Sequence, residues 1–94
     1  MRKKQLRNWL KEWKAKIQAA WDEMDYPNEA SVSKTARVYE ILIDQAIETL
    51  KCASFPLPPI VWERLRRAKM DLQWDWVTGA HVELERVVEE LSKI

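Results

Sequence analysis

The groups able to do chemistry in this chain are few and poorly grouped. His81 is the only histidine, and Glu85 follows it by four residues. One helical turn separates such a pair, so both could touch one metal ion. Protein zinc sites need three or four ligands, and no second histidine is there to extend this one. Glu40, Asp44 and Glu48 repeat at four-residue spacing and would share a helix face. Paired carboxylates do acid–base chemistry when buried. Here they are the polar face of an otherwise apolar stretch, so they are expected to be solvated or salt-bridged. Cys52 has Lys51 beside it and no histidine nearby, which fits a bystander thiol. The Glu-x-x-His pair of di-iron bundles is missing, and a single glycine leaves no glycine-rich phosphate loop. The expectation is a protein that is not an enzyme, with no metal or cofactor.

The cations are more informative. Net charge is only +1, but it is sorted along the chain. Residues 1–20 hold seven Lys/Arg and one acid, and residues 21–50 hold two and seven. Residues 51–70 hold five and one, and residues 71–94 hold two and six. Lys4, Arg7, Lys11 and Lys14 recur every three or four residues, with Lys3 beside them. On a helix they form a strip about 15 Å long at 1.5 Å per residue. A second basic group, Arg64, Arg66 and Arg67, follows Pro58-Pro59. Helix N-termini carry partial positive charge and prefer acids. Cations crowded there would be relieved by an anion such as phosphate. These eight residues are therefore the candidate nucleic-acid contacts, and they would be sequence-independent because phosphate contacts carry no base information.

The elements that must position these groups follow from apolar spacing. Leu6, Leu10, Trp13, Ile17, Ala20 and Met24 are spaced four, three, four, three, four. That is a helical stripe, predicting a first helix over Lys3–Met24. Asp25-Tyr-Pro-Asn28 ends it. A second helix should start among Asn28, Ser31 and Ser33 and run to Ala53. Apolar residues cover most of its circumference, as befits the centre of a bundle. Pro58 and Pro59 fix the start of a third helix, with Val61, Leu65, Ala68, Leu72 and Trp76 as its core stripe. Gly79 either ends that helix or is crossed by one continuous helix. A shorter fourth helix follows, with Leu84, Val87, Val88, Leu91 and Ile94 inward.

The expected fold is all-α: a compact antiparallel bundle of three long helices plus a shorter fourth, in one domain over residues 1–94. In an up-down arrangement both basic stretches reach one pole, side by side, and Asp22, Glu23, Asp71 and Asp75 reach the other. Ala30-Ser-Val-Ser-Lys-Thr-Ala-Arg-Val-Tyr-Glu-Ile-Leu42 resembles the turn and recognition helix of helix-turn-helix proteins, although Tyr26-Pro27-Asn28 interrupts the helix that should precede it and no glycine marks the turn.

Six tryptophans are many for so small a core. With Trp76 inside, Trp74 points outward. Met70, Trp74 and Val77 then form a second apolar strip, fit to dock a neighbouring subunit or another copy. The longest apolar runs are three residues, too short for a membrane span of about 20. A lone cysteine and the lack of a signal-like segment suit a cytoplasmic, intracellular protein. Together these features predict a non-catalytic accessory subunit of a nucleoprotein assembly, or alternatively a protein–protein adaptor or inhibitor.

Overall fold

The computed structural model describes residues 1–94, and every regular element is a helix: α1 (Lys3–Glu23), α2 (Glu29–Lys51), α3 (Pro59–Leu72) and α4 (Val77–Ser92). Each begins where local chemistry provides a start. The Arg2 N–H donates to Gln5 Oε1 at 2.7 Å ahead of α1. Asn28 caps α2 by accepting from the Ser31 N–H at 3.0 Å, and Ser31 Oγ accepts from the Asp25 N–H at 2.7 Å, closing the α1–α2 turn. Proline occupies the first turn of α3, where its missing N–H costs nothing.

The four helices pack into a compact globule of 41 × 21 × 19 Å. α2 and α4 each touch the other three helices, whereas α1 and α3 do not meet. The apolar wrap of α2 accounts for its central place. The core takes Leu6, Leu10, Trp13 and Ile17 from α1 and Tyr39, Ile43 and Leu50 from α2. Ala46, Ala68 and Ala80 lie where helices converge and are fully buried. Trp13 fixes the register of α1 on α2 by donating its indole N–H to the Leu42 carbonyl at 2.9 Å.

Several sequence expectations are corrected. The α3–α4 break lies at 73–76, and Gly79 is inside α4. Its role is close approach: a Cβ there would sit 2.9 Å from Trp76 Cδ2 and 3.1 Å from Asp71 Oδ2. The turn itself uses Asp75 in the left-handed region, φ 53°, which Asp tolerates better than most residues. Breaking there turns Trp76 out of the core, to 60% exposure. The fourth helix, 16 residues, is longer than the third, 14 residues. Ala30–Leu42 is one unbroken stretch of α2, so the helix-turn-helix resemblance fails for lack of a turn.

Candidate nucleic-acid interface

The start of α1 is held against the end of α2, where Ser54 donates through both its N–H (3.1 Å) and its Oγ (2.7 Å) to the Met1 carbonyl. The short link from Cys52 to Pro58 brings the start of α3 to the same end. The starts of the two basic helices share this end, but the helices do not touch, and Arg67 of the second stretch lines the α3/α4 groove with Trp76 and Gly79. The expected side-by-side placement is not what forms.

Their electrostatics differ as well. Arg64 forms a partly buried ion pair with Glu83 of α4 at 3.1 Å, and Arg67 pairs with Glu63 at 2.8 Å. No carboxylate reaches Lys3, Lys4, Arg7, Lys11, Lys14 or Arg66 at ion-pair distance. Arg7, Lys11 and Lys14 each lie one position past a buried residue, Leu6, Leu10 and Trp13, on the edge facing α4. Arg7, Lys11 and Lys14 line a shallow groove with Leu10, Val88 and Ser92, of about 310 Å3. Arg2, Lys16, Lys34, Arg37, Arg66 and Arg86 also lack an ion-pair partner, so the α1 edge is the longest continuous run of unneutralised cations and not the whole of the unneutralised basic surface.

Next along the same α1/α4 seam, a cleft of about 530 Å3 brings Lys14 near His81, Glu85, Glu89 and Ser92. His81 is only 7% exposed and its ring is fully engaged. Its Nδ1 lies 2.7 Å from the Tyr39 hydroxyl, and its Nε2 lies 2.6 Å from Glu85 Oε1. Burial, with smaller contributions from Glu85 and Asp22, pushes the Tyr39 hydroxyl above the ordinary tyrosine range. A hydroxyl that keeps its proton can share it with Nδ1, while Nε2 faces the Glu85 carboxylate, so both ring nitrogens are engaged. The Trp21 indole stacks on the imidazole with centroids 4.1 Å apart. Every polar atom of this cluster has a partner, so it serves as a polar clamp joining α2 and α4. Tyr39 and His81 are 42 residues apart, and no local pattern in the sequence could pair them. The His81–Glu85 contact was visible as an i, i+4 spacing. No group of three or more His, Cys, Asp or Glu residues comes together to hold a metal, and Cys52 is an exposed free thiol.

The proposed partner-binding strip is only partly assembled. Met70 is exposed and Trp74 is 84% exposed, but Val77 is 3% exposed and belongs to the core. Starting α4 one residue after Trp76 is what turns Val77 inward. Trp76 and Val82 take its place beside Met70 in a groove between α3 and α4 of about 380 Å3. No helix is long and apolar enough to cross a membrane.

No protein-family model, curated protein or solved structure matches this chain.

Proposed function

We propose that this chain is a non-catalytic accessory subunit of a nucleoprotein assembly: an antiparallel helical bundle that lays the edge of α1 along nucleic-acid backbone. The observation that carries this is the asymmetry of neutralisation. Arg64 and Arg67 have carboxylate partners, while Lys4, Arg7, Lys11 and Lys14 form a continuous strip with none. Leaving four cations unpaired on one edge costs folding stability through mutual repulsion, and a polyanion offsets that cost. A strip about 15 Å long reaches several phosphates of one strand. Contacts of this kind position a protein on nucleic acid without reading bases.

The test is fluorescence anisotropy with a labelled duplex and a labelled single strand at rising salt. Duplex affinity should fall on a log–log slope of about −0.9 per neutralised phosphate. Changing Lys4, Arg7, Lys11 and Lys14 to Gln should flatten that slope by about 3.5. Scrambling the duplex sequence should change nothing. Absence of binding at low salt, or an unchanged slope in the variant, would refute the proposal.

A second reading, a protein adaptor without nucleic-acid contact, draws on the exposed Met70, Trp74 and Trp76. Its binding would survive nuclease treatment and high salt.

A further inference from the structure

The end of the molecule opposite the start of α1 combines exposed aromatic rings with uncompensated acid. The α1–α2 turn and the α3–α4 turn meet there, since Ser33 Oγ donates to Asp75 Oδ2 at 3.0 Å. Tyr26, Glu29 and Asp75 share a cleft of about 350 Å3 between the two turns. On the other side of Asp75, Trp76, Met70 and Asp71 line the α3/α4 groove together with Arg67, whose charge is already paired with Glu63. Tyr26 is 74% exposed and Trp74 84%. The cations at the margin of this end are Arg67, paired with Glu63, and Lys16 and Lys34 beside Glu23; residues 17–33 and 70–85, which build most of it, contain no Lys or Arg. Of their carboxylates, Glu83 is paired with Arg64 and Glu85 with His81. Asp22, Glu23, Asp25, Glu29, Asp71 and Asp75 are in no ion pair.

Large rings left in water beside unpaired carboxylates fit one class of occupant. A neutral apolar partner would cover the rings but bury the acids unpaired, at high cost. A Lys- or Arg-bearing segment satisfies both, placing its cation on the faces of Trp and Tyr and its charge beside the acids. The size agrees. The molecule measures 21 by 19 Å across its two short axes, which bounds the flat area of an end. That is about 400 Å2, half the roughly 800 Å2 per partner of a standard interface between globular proteins. It suits a short extended segment.

We infer that the Tyr26/Trp74/Trp76 end is a docking site for a Lys/Arg-rich linear segment of a neighbouring protein. It rests on the accessory-subunit reading only in supposing a protein neighbour, and it makes the two ends of the chain functionally separate. Asp71 supplies a supporting detail: burial, and then Glu83, hold its carboxyl above the ordinary range, a tension that a bound cation relieves.

The experiment uses the full chain and a fluorescein-labelled peptide of four Lys-Arg-Gly repeats, followed by anisotropy at low and moderate salt. Saturable binding is expected. Trp74→Leu, which keeps apolar area but removes the ring, should weaken it about threefold, the size of one exposed cation–π contact. Asp71→Asn with Asp75→Asn should weaken it further and flatten its salt dependence. The four-Gln variant of α1 should bind the peptide normally, and Trp74→Leu should bind nucleic acid normally. Loss of nucleic-acid binding with peptide binding intact would therefore sink only the proposed function. No peptide binding at low salt, or wild-type affinity in Trp74→Leu or in the double Asn variant, overturns the docking site.

Discussion

Replacing Tyr39 with phenylalanine removes one oxygen from an enclosed polar contact, and the structure dictates two separable consequences. Tyr39 is fully buried, and its hydroxyl is hydrogen-bonded to His81 Nδ1 at 2.7 Å. In Tyr39→Phe that nitrogen is left in a nearly closed site without its hydrogen-bond partner. Stranding a buried donor or acceptor costs about 1–3 kcal/mol, so stability at pH 7 should fall by about 2 kcal/mol. The second consequence runs through pH. The folded hydroxyl holds its proton to higher pH than the unfolded one. Above the ordinary tyrosine value of about 10, the unfolded chain releases a proton that the folded chain keeps. The contribution is complete below that pH and is lost as pH rises through the folded value, at about 1.4 kcal/mol per pH unit. All other ionisable groups are shared by the two proteins, so the difference between them isolates Tyr39. Urea denaturation from pH 8 to 11 should show wild type losing stability more steeply, with about 1.4 kcal/mol of the gap gone by pH 11. Parallel pH profiles, or a Tyr39→Phe protein as stable as wild type at pH 7, would refute the clamp.

Two further outcomes follow from the α3–α4 turn. Gly79→Ala should fail to give the gain of about 1 kcal/mol that alanine brings to a helix interior, because its Cβ meets the Trp76 ring at 2.9 Å; in a Trp76→Ala background the same change should stabilise, as a denaturation double-mutant cycle would show. Asp71→Asn should raise the thermal midpoint at neutral pH. The raised carboxyl favours the protonated folded state, so stability is lost as pH rises through its folded value and the gain from Asn should vanish in acid, which calorimetry at pH 7 and pH 3 would check.

Much of the helical layout was legible because it is local. The four-three spacing from Leu6 to Met24 named the buried face of α1 through Ile17, with Ala20 and Met24 only half-buried; of the three caps offered for α2 Asn28 is the one used, and Pro59 starts α3. The α3–α4 boundary was not legible. Leu72 and Trp76 keep perfect i, i+4 spacing across it, and the turn is made by Asp75 in a conformation that glycine usually advertises. Misplacing that boundary misassigned both Trp76 and Val77. The candidate site was half legible for a related reason. Spacing located the cationic strip on α1, but the neutralisation of Arg64 by Glu83 crosses 19 residues and a helix boundary. The Tyr39–His81 contact crosses more chain still and depends wholly on tertiary packing.

The uneven wetting of the tryptophans has a spectroscopic consequence. Trp13 is 2% exposed, hydrogen-bonded to the Leu42 carbonyl and stacked on Trp9 with ring centroids 5.2 Å apart, whereas Trp74 stands almost wholly in solvent. Iodide will quench the red-shifted emission of the outer indole first and leave the blue component of the sealed one. A single unlabelled sample therefore carries two independent optical signals: shielding from quencher reports occupancy at the aromatic end, while the protected fraction reports whether the helices are still packed.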